Sequence, residues 1–287
     1  MSLKDIRSRI QSVKNTRQIT KAMKMVAAAK LRKAQHAVAD ARPYAYALRE
    51  IVEGLAQRED ARHRAFEVRP VKSALLFIFS SDRGLCGGFN ANLFRQVLAY
   101  QRKLRKDGIA VEMVALGRKA GEYFPARATV VQSFPAANKE KILAYFREAT
   151  LDFLDGKRDR ILVAFNEFQS AIVQKVRIRP LLPLGIPDSE RKREETERIQ
   201  REQFKKLLLE PAHVLDELVQ TAVSTEIELC QRESAASEQG ARMAAMENAT
   251  KNASDLIDGL TLVYNKARQA SITKELMEIV SGVEAMR

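Results

Sequence analysis

The residues whose types and spacing could do chemistry are concentrated in one short stretch, SDRGLCGGFN (residues 81–90). It follows the apolar run SALLFIFS (73–80), where a strand would turn into a helix. Glycines at such a point either allow a tight turn with positive φ or bare backbone N–H groups to an anion. Gly84, Gly87 and Gly88 do not match the GxGxxG spacing of a dinucleotide site. No GxxxxGK[ST] string, whose amides and lysine hold phosphates, occurs in the chain. Both readings of the turn, structural and anion-binding, stand at this point, with the first favoured. Cys86 would be a nucleophile only with a base beside it, and no histidine lies between residues 64 and 212. His36, His63 and His213 are scattered. HExxH, GxSxG and paired-carboxylate motifs are absent, so the chain is expected to be non-catalytic, with no cofactor and no metal. Cys86 and Cys230 lie far apart without CxxC spacing, which reads as two reduced thiols rather than a disulfide or metal pair.

Charge supplies the second signal. The net charge is +13, with 49 Lys and Arg against 36 Asp and Glu. Residues 1–42 hold Lys4, Arg7, Arg9, Lys14, Arg17, Lys21, Lys24, Lys30, Arg32, Lys33 and Arg42, against only Asp5 and Asp40. A segment so basic seeks an acidic partner: nucleic acid, anionic lipid or an acidic protein surface. Apolar runs such as AVEMVAL are far shorter than the ~20 residues that span a bilayer. The charged start MSLKDIRSRIQSV has no apolar core of a secretory signal.

The elements that must position these residues fall into three parts. Hydrophobic residues make up 46% of the chain and aromatics 6%, with no Trp, which suits long Ala/Leu/Lys/Arg/Glu helices around one sizeable domain. Residues 73–184 alternate strand and helix patterns: strands at 73–80, 110–116 and 128–134, helices at 90–106, 118–124 and 139–154, then strands at 160–168 and 173–184 that read as a hairpin. That order predicts a mostly parallel sheet covered on both faces, a small α/β domain. Residues 185–210 are dense in charge and read as a solvated connector.

The flanks are helical. Residues 1–58 carry Leu3, Ile6, Ile10, Val13, Ala27, Leu31, Ala34, Val38, Ala41, Ala45, Leu48, Val52 and Leu55 in alternating steps of three and four, the seam of a coiled coil. Pro43 need not end that helix. Residues 211–287 repeat the pattern at Met246, Ala249, Ala253, Leu256, Leu260, Val263, Ala267 and Ala270, interrupted only by Gly240 and Gly259. The two helices are expected to run antiparallel. The second outruns the first by ~25 Å, leaving Tyr264–Arg287 bare with Ile272, Leu276, Ile279 and Val280 unmated. Arg17, Thr20 and Lys24 occupy seam positions in the first helix, while Ile19, Met23 and Val26 lie out of phase. Either the supercoil shifts locally there, or the break is a partner surface.

Three blocks then carry a family. MSLKDIRSRIQSVKNTRQITKAMKMVAAAKLRKAQ, SSDRGLCGGFNANL and LVYNKARQASITKELMEIVSGVEAM, with ARMAAMENATKNA, closely resemble the gamma subunit of bacterial F-type ATP synthases. The resemblance implies a Rossmann-like α/β domain inserted between two shaft helices, turning inside a ring of three alpha and three beta subunits. It implies partners: the catch loop and acidic lever of beta, the epsilon subunit and the membrane c-ring. It implies a peripheral position on the cytoplasmic face of the inner membrane. Arg268, Gln269 and Thr273 in KARQASITKEL match positions that meet the catch loop. Met23, with Lys21 and Lys24 beside it in ITKAMKMV, and Arg242 in ARMAAM, match shaft positions linked to coupling. Lys30, Arg32 and Lys33, with Leu207, Leu209 and Glu210, match a foot that docks on the c-ring and epsilon; LLLEP is more apolar there than the family's usual version. The cysteine-bearing insertion of redox-regulated relatives is missing, so thiol regulation is not expected. The family selects an acidic protein over nucleic acid as partner; the alternative is a basic coiled-coil nucleic-acid-binding or scaffold protein, which would bind DNA with steep salt dependence.

Overall fold

The computed structural model describes residues 3–56, 63–185 and 212–284. The expected connector and Leu207, Leu209 and Glu210 lie outside the described residues. The elements run α1 (Leu3–Ala56), a 3-10 turn (Arg64–Phe66), β1 (Ser73–Phe79), α2 (Phe89–Lys106), β2 (Ala110–Leu116), α3 (Arg118–Tyr123), β3 (Val130–Phe134), α4 (Lys139–Leu154), β4 (Arg160–Phe168), β5 (Gln174–Leu182) and α5 (Ala212–Glu284). Pro43 sits inside α1 without ending it. The chain divides into two compact units, Ala29–Ala241 and Met1–Ala28 with Arg242–Arg287. The division crosses both long helices rather than falling where they leave the sheet.

In the unit Ala29–Ala241 the strands are ordered β3-β2-β1-β4-β5. The β1–β2, β1–β4 and β2–β3 pairs are parallel, and β4–β5 is the expected antiparallel hairpin. A parallel strand buried on both faces must be apolar throughout, and SALLFIF is. Its odd-numbered residues Leu75, Phe77 and Phe79 join one core, and Ala74, Leu76 and Ile78 join the other. The second core is closed by Leu93, Phe94 and Val97 of α2 and Ala120 of α3. The first is closed by α4, where Phe146 stacks on Phe77 at 3.7 Å. The same core takes in Leu48 and Val52 of α1 and Val219, Ala222, Val223, Ile227 and Cys230 of α5. This is why the compact unit includes the adjoining halves of both helices. Gly117, at φ 97°, turns β2 into α3 with its Cα against the Ser80 carbonyl, a place with no room for a side chain.

The other unit is a helix pair. Thr250 Oγ1 donates to Thr20 Oγ1 at 2.8 Å, and Lys24 pairs with Glu247 at 2.6 Å, which sets α1 and α5 antiparallel. Ile6, Ala27, Met246, Ala253 and Ile257 are buried along the seam. Two expectations are corrected here. The supercoil does not shift at Arg17, Thr20 and Lys24: Thr20 is 9% exposed, whereas Ile19 and Val26 are 59% and 56% exposed. The register continues, with polar residues inside it. On α5 the buried row runs through Met246, Ala253 and Ile257, with Thr250 and Tyr264 half-buried between and beyond them; Leu256 and Val263 of the expected row face outward. The hydroxyl pairing of Thr250 with Thr20 places position 250 in the seam.

Extending that pairing back along α1 puts Leu3 opposite about Ala267. Tyr264, Ala267 and Ser271 are half-buried, and every residue from Ile272 to Gly282 is exposed. The overhang therefore begins near Ile272, later than the expected Tyr264.

Candidate functional site

The sequence-derived residues that lie within the described segments fall on exposed or half-exposed parts of both helices. On α5, Arg268, Gln269 and Thr273 are exposed within about one and a half helical turns, and the Thr273 hydroxyl donates to the Gln269 carbonyl at 3.0 Å. Immediately beyond, Ile272, Leu276, Ile279 and Val280 recur at helical spacing and are each about half or more exposed. A contiguous apolar stripe with a polar patch at its root is the signature of a partner-covered helix. On α1, Lys21 is exposed and Met23 half-buried, and Lys24 is held by Glu247. Ile19 and Val26 add outward apolar groups on the Met23 side of α1, and Met25 is exposed on another side. Arg242 is half-buried.

Lys30, Arg32 and Lys33 are exposed in the other unit. They lie more than 20 residues along α1 from Leu55, or ~30 Å, and Leu55 packs with Leu215 at the start of α5. These cations and the beginning of α5 are therefore not brought together along the helix pair.

The Gly turn is filled by its own side chains. Asn90 donates to Ser81 Oγ at 2.7 Å and to Cys86 Sγ at 3.4 Å, while its Oδ1 accepts from the Ser81 N–H at 3.2 Å. Gly87 and Leu85 both adopt positive φ. This is the structural reading of the turn. Cys86 is buried with Phe89 and Ala241. In open α/β sheets ligands bind beyond the carboxyl ends of the strands. Here α5 crosses that position: Ser234 Oγ donates to the Phe79 carbonyl at 3.2 Å and Ser237 Oγ to the Asn166 carbonyl at 2.9 Å. The Gly240 Cα lies so close to the Ala171 carbonyl that an added Cβ would stand 2.9 Å from that oxygen. Among the described residues, no cluster of three His, Cys, Asp or Glu side chains is placed to hold a metal, and no helix is long and apolar enough to cross a membrane.

Sequence reasoning missed the buried charges. Glu233 of α5 takes a two-pronged bond from Arg42 of α1, at 2.7 and 2.9 Å, and accepts from the Phe168 N–H at 2.8 Å. Glu226 lies between Arg49 of α1 and Arg179 of β5. Burial works against charge on Glu226, but Arg179 and Arg49 outweigh it, and its carboxyl sits below the ordinary value. The bond to Glu233 outweighs burial at Arg42 and raises the guanidinium's pKa. Beside them, burial pushes the Cys230 thiol up to about 12, against the opposing charge of Arg179. The available signal was spacing: Glu226, Cys230, Glu233 and Ser237 follow four-three-four steps, continuing the stripe begun by Val219 and Ala222.

Comparison with known proteins matches residues 2–286 to the ATP synthase family. The chain is 46% identical to the ATP synthase gamma chain of Anaeromyxobacter sp. strain K, over all of this chain and 99% of that one. It is 40% identical to the gamma chain of Bdellovibrio bacteriovorus with the same coverage. Among solved structures, it resembles a chain of the Tetrahymena thermophila mitochondrial ATP synthase central stalk and c-ring: TM-score 0.59, 25% identity, 80% of this chain and 99% of that one. The fold also matches a chain of the Euglena gracilis mitochondrial ATP synthase in rotational state 3, with TM-score 0.68 and 20% identity over 99% of this chain and 94% of that one.

Proposed function

This chain belongs to the ATP synthase gamma-chain family, and from that premise we propose that it is the rotary central stalk of its complex, coupling c-ring rotation to the beta-subunit catalytic sites without an active site of its own. The observation that carries the reading is the bare end of α5: Ile272, Leu276, Ile279 and Val280 are exposed beyond the reach of α1. An apolar helix end without a mate among the described residues suits a socket in a partner.

The roles proposed for single residues rest on family likeness. Arg268, Gln269 and Thr273 meet the beta catch loop at the root of the overhang. Met23 with Lys21 and Lys24, and Arg242, face the alpha–beta ring, and the remaining cations of α1 suit the acidic beta lever. Lys30, Arg32 and Lys33 act toward the epsilon and c-ring side, and Leu207, Leu209 and Glu210 make a separate contact on that side. The chain is peripheral, on the cytoplasmic side of the inner membrane, and meets the membrane only through the c-ring.

Asymmetry supplies the mechanism. A helix pair presents a different surface around its axis: the Lys24–Glu247 side is polar, and the Ile19 and Val26 side is apolar. Turning it inside a threefold ring offers each catalytic site these faces in sequence. A face that prefers one beta conformation shifts that site's nucleotide affinity by the difference in binding free energy. Arg268→Ala with Gln269→Ala tests the reading. The variant should keep its helix content while losing assembly or torque with alpha and beta. Equal loss of helix and assembly would count against it.

A further inference from the structure

Between the sheet and the adjoining halves of α1 and α5, the apolar contacts of Leu48, Val52, Val219, Ala222, Val223 and Ile227 supply cohesion. Apolar contact is non-directional; by itself it leaves a helix free to creep along or roll on the surface beneath. Two buried charge clusters supply direction. At the first, Arg42 Nη2 donates to the Phe168 carbonyl at 2.7 Å while the Phe168 N–H donates to Glu233, so α1, α5 and the end of β4 close into one ring through the backbone of a single residue. The Arg42–Glu233 fork makes two of its bonds. At the second, Glu226 joins Arg49 of α1 to Arg179 of β5, and Arg179 also reaches Cys230 Sγ at 3.7 Å. The arginines are seven residues apart on α1 and the carboxylates seven apart on α5, so the same register is fixed twice, ~10 Å apart along the pair.

We propose that the Arg42–Glu233–Phe168 and Arg49–Glu226–Arg179 clusters form a torque-bearing clamp that holds the helix pair in register on the sheet. The clamp rests on the rotary reading given above. Buried ion pairs contribute little net stability against well-packed apolar replacements and are best suited to fixing register. A shaft that receives force at its domain and delivers it along its helices needs register more than cohesion. These are positioning residues: they touch no nucleotide and act through the geometry of the helix pair.

The test uses the complete membrane-bound complex carrying either the original chain or Arg42→Met with Glu233→Met, which keeps side-chain volume while removing the directional bonds. ATP hydrolysis and ATP-driven proton pumping are measured together. The expected result is an assembled variant with near-normal hydrolysis and a several-fold lower ratio of protons pumped to ATP hydrolysed. Arg42→Lys, which retains the charge and loses the fork, should fall between. An unchanged ratio in the methionine variant overturns the clamp. So does loss of assembly by that variant alone, since the pair would then be structural. Failure of the complex carrying the original chain to couple hydrolysis to pumping overturns the rotary reading, and the clamp with it.

Discussion

Replacing Glu226 with alanine is the sharpest test of how the helix pair is held to the sheet. The Glu226 side chain is 8% exposed, and its partners Arg49 and Arg179 are 16% and 15% exposed. The substitution strands two largely buried guanidinium groups around one small cavity. Removing one partner from a buried ion pair costs about 3–5 kcal/mol. For a chain of this size that lowers Tm by roughly 10 °C, at about 2–4 °C per kcal/mol. Scanning calorimetry of the isolated chain at pH 7 measures it. The acid limb supplies an independent check. The folded carboxyl of Glu226 lies below its ordinary 4.5. Its contribution is therefore whole above that value and is lost as pH falls through the lower folded value. Below pH 4.5 the original chain should lose stability more steeply than the alanine variant. A Tm drop of less than about 3 °C, or identical acid limbs, would refute the reading that Glu226 neutralises two buried guanidinium groups.

Other outcomes follow from the same geometry. Phe77→Ala, fully buried against Phe146, should cost about 3–5 kcal/mol in denaturant unfolding. Gly240→Val should displace the β4–β5 hairpin, because its side chain would press on the Ala171 carbonyl; faster proteolysis near residues 169–173 reads it. Cys86 and Cys230 are both buried, and the Cys230 thiol is pushed up to about 12, so a thiol reagent should label neither quickly in the native chain and both in urea.

The strands and short helices were legible because apolar runs of strand length alternated with helical periods. β2, α4 and β4 begin and end where their patterns do. The seam of α1 was legible because its apolar residues leave one choice of row. α5 offered two: Leu256 stands beside Ile257 and Val263 beside Tyr264, so three-four spacing fits either row. The meeting of Thr250 with Thr20 decides between them, and a contact between residues 230 apart is not written in local periodicity. The polar break at Arg17, Thr20 and Lys24 was visible, but its resolution was not, since hydroxyl and ion pairing can keep a register that apolar counting would shift. Glu226 and Glu233 were passed over because carboxylates usually mark a solvated face. Their arginine partners come from α1 and β5, and only the fold brings them together. The residues expected to meet partners were named from family likeness, because local spacing does not specify a partner.

Rotation itself tests the central claim most directly. The native thiols are buried, so a single cysteine introduced at the exposed Lys106 position takes a probe selectively. With the ring of the assembled complex fixed to a surface and ATP supplied, the probe should turn in one direction, pausing at three positions per revolution as a threefold ring dictates. Sustained ATP hydrolysis with a stationary probe would contradict the account.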